Sequence, residues 1–154
     1  MKIKLFCFNK LSKEYLEIYN YYFTKVKKYS DLEVVEIAEF DSGDVKSNQA
    51  KNEENLNKKL VDLKDWEVFL LEINAKQYES ESFSKLIQDN KDFKGAKLAF
   101  IIGPSDGFSY EFRKSCKNQL SFGNMTYPYS LIRIILLEQI FRSIKIMRKE
   151  PYHK

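Results

Sequence analysis

Leu98-Ala99-Phe100-Ile101-Ile102 is an unbroken apolar run closed by Gly103-Pro104. A run this short and this apolar fits a strand covered on both faces, the pattern of a parallel sheet enclosed by helices. Three more segments read as strands. Lys2 to Phe8 alternates Ile3, Leu5 and Cys7 with Lys2, Lys4 and Phe6; Leu32 to Ala38 carries Val34, Val35 and Ile37; Trp66 to Ile73 supplies another. Helical spacings lie between them: Tyr15, Ile18, Tyr19, Tyr22 and Val26 after a candidate N-cap at Ser12, then Leu56, Leu60 and Leu63, then Phe83, Leu86 and Ile87 within Ser80 to Phe93. Strands alternating with helices imply an α/β fold, a mainly parallel sheet with helices on both faces. Asp41 to Asn57 is polar, holds Gly43 and repeated Asn and Lys, and on composition is expected to be the least ordered stretch.

The 154 residues fit one core. A chain of this size buries roughly 68–70% of its unfolded surface and needs no disulfide or metal to fold. Hydrophobic content of 44% and aromatic content of 15% argue against disorder, and no 18-residue charge-free apolar run is present for a membrane span. The first six residues show no secretory pattern, so a cytoplasmic location is expected. Cys7 and Cys116 read as small core residues. With His153 the one histidine, a four-ligand zinc site is excluded and no metal is expected. A Ser/His/Asp triad would depend on that single imidazole near the carboxyl end and is disfavoured.

The formal charge of +4 is unevenly placed. Residues 1–116 carry 19 Lys+Arg against 20 Asp+Glu, whereas residues 117–154 carry seven against two. Three of the four arginines, Arg133, Arg142 and Arg148, fall in that last segment. Arginine grips phosphate bidentately, so the bias favours an anionic partner, with a solvated helix face the equal alternative on charge alone. Arg142, Lys145 and Arg148 recur at steps of three and form one stripe. Just before it, Leu131 to Phe141 is apolar almost all round a helix, which marks the helix as central or shared with a second subunit. Arg133 interrupts this stretch, where an unpaired charge is costly, so it should have a partner or line a site.

Two loops stand out. Gly103 to Phe108 follows the most apolar strand, and the carboxyl ends of parallel strands are where ligands bind. The loop matches neither a dinucleotide fingerprint nor a P-loop, so neither nucleotide class is supported. Phe122-Gly123-Asn124-Met125-Thr126-Tyr127-Pro128-Tyr129 is the second loop, in which Pro128 holds Tyr127 extended before the apolar helix. Together the two could wall a flat apolar ligand with backbone amides.

Five segments carry a resemblance: Leu71 to Lys76, Ile101 to Gly107, Leu120 to Pro128, Arg133 to Arg142, and the ending Ile146 to Lys154 with its Pro151-Tyr152-His153-Lys154. In order and spacing they resemble the ribosomal RNA large subunit methyltransferase H family, of the knotted SPOUT class, over about residues 66–154. The resemblance implies a single SPOUT domain over residues 1–154, with a C-terminal trefoil knot in about 66–154, one of the rare exceptions to unthreaded chains. It implies a homodimer that uses S-adenosyl-L-methionine to methylate N3 of a pseudouridine in the large-subunit rRNA of assembled ribosomes. It places Leu71, Gly103, Phe122, Gly123, Asn124, Met125, Thr126 and Tyr127 around the methyl donor. His153, Tyr152 and Arg142 become the candidate catalytic groups, and Arg133, Arg142, Lys145 and Arg148 the candidate RNA contacts. The chain departs from the family pattern at Pro104 and Ala75, where glycine is usual, and at Tyr129, where histidine is usual. Two readings compete: a non-catalytic RNA- or ribosome-binding module on the same fold, and a flavodoxin-like small-ligand domain, which leaves the basic tail unexplained.

Overall fold

The computed structural model describes residues 1–152. Five strands, β1 (Lys2–Phe8), β2 (Asp31–Ile37), β3 (Glu67–Leu71), β4 (Lys97–Ile102) and β5 (Asn118–Leu120), form one sheet in the order β2-β1-β4-β3-β5. Every pairing is parallel. The helices are α1 (Leu16–Lys27), α2 (Val45–Leu60), α3 (Ser80–Phe93), the short α4 (Tyr110–Ser115) and α5 (Tyr129–Met147). The expected α/β architecture is observed. Residues 110–120 differ from expectation, since a one-and-a-half-turn helix and the edge strand β5 lie between the two loops.

Alternation along β1 and β4 divides the core. Ile3, Leu5, Cys7, Leu98, Phe100 and Ile102 face α1, α3 and α5, while Phe6, Phe8, Ala99 and Ile101 face Leu56 of α2 and Phe108. Both faces being covered is why β4 reads as an unbroken apolar run. α5 is central on its side, packed between α1 and α3. Leu136, Leu137 and Ile140 on it are fully buried, each stabilising by about 1.5–3 kcal/mol. Ser84 and Ser143 let α3 approach closely, and the Ser84 hydroxyl donates to the Ser143 carbonyl at 3.1 Å. Leu131, Ile132 and Ile135 stay half-exposed on the outer side of α5. Among the described residues no helix is long and apolar enough to cross a membrane.

The stretch expected to be least ordered is instead most of α2. Its stripe is written in asparagine rather than leucine. Asn48 and Asn52 are buried at steps of four with Leu56. Asn52 accepts from Phe40 N at 2.8 Å and donates to Phe40 O at 3.0 Å, so each amide replaces a turn of backbone pairing. Asp44 caps the helix, accepting from Ser47 N at 2.8 Å. Ser12 also departs from expectation: it precedes a 3-10 turn and caps nothing. Its hydroxyl meets the Tyr129 hydroxyl at 3.1 Å, and its N–H donates to Ser130 Oγ at 3.0 Å, so it ties the segment entering α1 to the start of α5.

Arg133 is withdrawn from the RNA-facing set. Its side chain is 1% exposed and binds inside the fold. Nη1 donates to Glu36 Oε1 at 2.8 Å and Nη2 to the Asn9 carbonyl at 3.0 Å, with the Phe8 carbonyl at 3.4 Å. The need for a partner, read from the apolar helix, is met by the carboxyl ends of β1 and β2. Beside it, burial pushes the Cys7 thiol up to about 12, only partly offset by the Arg133 charge, so Cys7 is an inert core residue. Cys116 is half-buried. Removing Glu36 would leave a buried guanidinium without its counter-charge. Glu36→Ala is therefore expected to cost about 3 kcal/mol in chemical denaturation; a loss under about 1 kcal/mol would mean that the carbonyls alone hold Arg133.

Candidate functional site

The carboxyl ends of β3, β4 and β5 open into a partly open cleft. Leu71 lines it from the end of β3, Ile102 and Gly103 from the end of β4, Leu120 from β5, and Ile132 from α5. The far wall is Ser121, Phe122, Gly123, Met125, Thr126 and Tyr127. The two loops singled out in the sequence thus meet. Of the residues expected there, Leu71, Gly103, Phe122, Gly123, Met125, Thr126 and Tyr127 line the cleft, and Asn124 does not.

Each wall has an internal reason for its shape. Gly123 has φ +127°, a backbone conformation that only glycine adopts without strain, and a Cβ there would meet nothing within 4 Å. Gly103 is required by proximity instead: a Cβ would stand 3.1 Å from the Phe108 ring. The turn after β4 closes through Gly107 N donating to Pro104 O at 2.9 Å, with Gly107 at φ +65°. Proline suits that turn because its carbonyl is the group used. Glu39 clamps the same turn, accepting from Ser105 N at 2.8 Å, and Asn48 of α2 donates to Asp106 Oδ2 at 2.7 Å. Ala75 lies in a second turn, donating its N–H to Glu72 O at 3.1 Å.

Ser121 was not legible in the sequence. It is 5% exposed. Its N–H donates to Lys76 O at 2.9 Å, its hydroxyl donates to Ile73 O at 2.8 Å, and it accepts from Gly123 N at 3.0 Å. One small hydroxyl thereby stitches the loop after β3 to the loop after β5. Glu72, also missed, faces the cleft and pairs with Arg113 Nη1 at 3.4 Å. A Ser between an edge strand and a Gly carries no periodic signal, and Glu72 reads as an ordinary strand end.

The carboxyl-terminal candidates form a separate cluster. The Tyr152 ring packs edge-on against Phe141, with centroids 5.0 Å apart, and the Arg142 guanidinium lies 4.9 Å from its centroid. The Tyr152 hydroxyl donates to Glu138 Oε1 at 3.1 Å, and Arg142 Nε donates to that same oxygen at 3.0 Å. Burial, the Tyr22 hydroxyl and the Glu138 carboxylate all push the Tyr152 phenol up, so it stays protonated and acts as a donor. Lys145 and Arg148 both pair with Glu150, whose carboxyl they hold below its ordinary value. His153 lies outside the described residues. Arg142 follows the cleft-lining Ile132 by ten residues on one helix, roughly 15 Å along its axis, so a single chain does not bring this cluster to the cleft.

A cleft at the carboxyl ends of parallel strands, walled by backbone turns and apolar side chains, lies where open α/β sheets bind their ligands. The family model described as "Predicted SPOUT methyltransferase" matches residues 1–153. A protein of Mycoplasma mycoides subsp. mycoides SC named ribosomal RNA large subunit methyltransferase H is 43% identical over 155 residues, covering 100% of both chains. An Enterococcus faecalis protein of the same name is 39% identical over 160 residues, again covering 100% of both. Among solved structures, a candidate RNA methyltransferase from Bacillus anthracis superposes with a TM-score of 0.50 at 15% identity over 99% of each chain, a likeness of fold alone.

Gly123→Ala forces a Cβ into a left-handed backbone without any clash to relieve. It is expected to destabilise by about 1–2 kcal/mol in thermal or chemical unfolding; an unchanged midpoint would show that the loop adopts another path.

Proposed function

The chain belongs to the SPOUT methyltransferase family, with ribosomal RNA large subunit methyltransferase H proteins among its relatives, and from that membership we propose that it methylates N3 of a pseudouridine in large-subunit rRNA, using S-adenosyl-L-methionine. The observation that carries the reading is the meeting of the Gly103 turn with the Phe122–Tyr127 loop in one apolar cleft. That cleft fits the donor. Leu71, Phe122 and Ile132 offer flat apolar walls, Gly103 and Gly123 let backbone approach closely, and the Glu72 carboxylate suits a ligand bearing an ammonium and a sulfonium. When bound, the donor supplies an activated methyl group on a positively charged sulfur.

The chain's own contribution is positioning and proton handling. An imide N3–H must lose its proton before the nitrogen can attack. Arg142 is suited to stabilising the resulting anion, and the protonated Tyr152 hydroxyl to donating a hydrogen bond or stacking on the base. His153, the chain's one imidazole, is the candidate base. Because Arg142 and Tyr152 stand well along α5 from their own cleft, the reading requires a second copy whose tail completes the site. The half-exposed Leu131, Ile132 and Ile135 face on α5 is where such a copy would pack. A threaded C-terminal half, residues 66–154 of one domain, belongs to the same reading.

Calorimetry is expected to show the purified chain binding S-adenosyl-L-methionine, and sedimentation a dimer. Mass spectrometry of rRNA from cells lacking the protein should show one methyl group missing from a large-subunit pseudouridine. No heat at millimolar donor would leave a non-catalytic ribosome-binding module as the reading. Arg142→Ala removes the cation over Tyr152 and should lower methyl transfer at least a hundredfold. Transfer within twofold of the parent would remove Arg142 from the chemistry.

A further inference from the structure

The stripe of cations on α5 is largely answered by its own carboxylates: Glu138 pairs with Arg142, and Glu150 with both Lys145 and Arg148. The uncompensated charge comes from another part of the chain. α1 ends in Lys25-Val26-Lys27-Lys28-Tyr29, and the structure sets this end beside the end of α5. Lys25 Nζ lies 4.9 Å from the Phe141 ring centroid, and Lys145 Nζ lies 5.3 Å from that same centroid. Tyr29 is flanked by Lys145 at 5.2 Å and Arg148 at 5.1 Å. Among the described residues, Lys25, Lys27 and Lys28 have no carboxylate partner. Asp31, the nearest acidic residue along the chain, lies opposite Lys2 in the sheet register.

Cations and rings therefore form one continuous row. From Arg142 and Tyr152 the row passes over Phe141 to Lys25 and Lys145, then to Tyr29 and Arg148. Tyr21 extends it, 54% exposed, with Lys25 Nζ 4.2 Å from its ring. Residues 25–29 and 138–150 together hold seven cations and two carboxylates. Two helix C-termini, each roughly half a negative charge, account for only one of them.

We propose that the joined ends of α1 and α5 are a docking surface for the phosphate backbone of folded RNA, with Lys25, Lys27 and Lys28 supplying the free cations. The proposal rests on the RNA-modifying reading above and deepens it. Phosphates are attracted by unpaired ammonium groups, whereas those already closed by a carboxylate must first be released. Tyr21, more than half exposed, adds a stacking platform for a base at the rim. Because the row starts at Tyr152, RNA held along it is led to the candidate catalytic groups.

The test is equilibrium binding of the full-length protein to purified bacterial large ribosomal subunits, and to their protein-free rRNA, across a salt series. Two variants are compared with the parent, Lys25→Gln/Lys27→Gln/Lys28→Gln and the charge-keeping Lys25→Arg/Lys27→Arg/Lys28→Arg, each checked for folding by circular dichroism. The glutamine variant should bind both targets at least tenfold more weakly near 150 mM salt, with the slope of log affinity against log salt reduced by about 2–3, and the arginine variant should bind like the parent. Equal affinity and equal slope for parent and glutamine variant would overturn the proposal, while leaving methyl transfer untouched. A difference seen on intact subunits but not on protein-free rRNA would assign the surface to a protein partner and also overturn it. If the parent binds in the expected way yet transfers no methyl group, the docking surface stands and the enzymatic reading falls.

Discussion

The buried guanidinium of Arg133 is the constraint on which the arrangement depends. It is 1% exposed and lies on a helix whose other buried groups, Ser130 and Ser143 apart, are hydrocarbon, and a charge in that position is tolerated only where acceptors converge on it. Glu36 at the end of β2 and the carbonyls of Phe8 and Asn9 at the end of β1 provide them. The ion pair acts together with the Ser12–Ser130 and Ser84–Ser143 hydrogen bonds. Together they fix the register of α5 against the strand ends, and so fix where Ile132, one residue before Arg133, meets the cleft.

That register has a chemical consequence. The cleft is built largely from backbone and apolar side chains, held by hydrogen bonds within its walls: Ser121 with Gly123, and Glu39 and Asn48 with the Ser105–Asp106 turn. Its ionisable side chains are Tyr127 and Glu72, the latter already paired with Arg113. A site so furnished can bind and orient. In the proposed reaction the proton-handling groups come from the carboxyl-terminal segment.

How much of this was legible in the sequence follows from which interactions leave a periodic trace. β4 was readable because both faces are apolar, and the two loops were readable because Gly123 and Gly107 mark positive φ. α2 was not, because its inward stripe is Asn48, Asn52 and Leu56; asparagine is a turn former by propensity, and only the Phe40 and Ser42 backbone groups it binds make it a helix residue here. Ser12 looked like a cap and is a cross-link to Tyr129, at the position where the resembled family has histidine. Arg133 was correctly recognised as needing a partner, but its direction was not fixed by sequence, and it points inward. The α1 lysines attracted no notice because that part of the chain is charge-balanced overall. Balance along a sequence says nothing about balance on a surface, and the fold places Lys25 beside Phe141 and Lys145 while leaving the acidic residues of the first half elsewhere.

The same reasoning bears on why Glu138 and Glu150 sit within a basic stripe at all. A row of bare cations along α5 would repel itself at steps of three and four and would hold Tyr152 less firmly. Glu138 joins Arg142 to the Tyr152 hydroxyl and Glu150 joins Lys145 to Arg148, so each carboxylate fixes the geometry of two groups while cancelling part of their attraction for phosphate. Order and affinity thus pull against each other on α5. Lys25, Lys27 and Lys28, set on a neighbouring helix with no carboxylate partner among the described residues, resolve the conflict: α5 keeps the tail in place, and α1 carries the unspent charge.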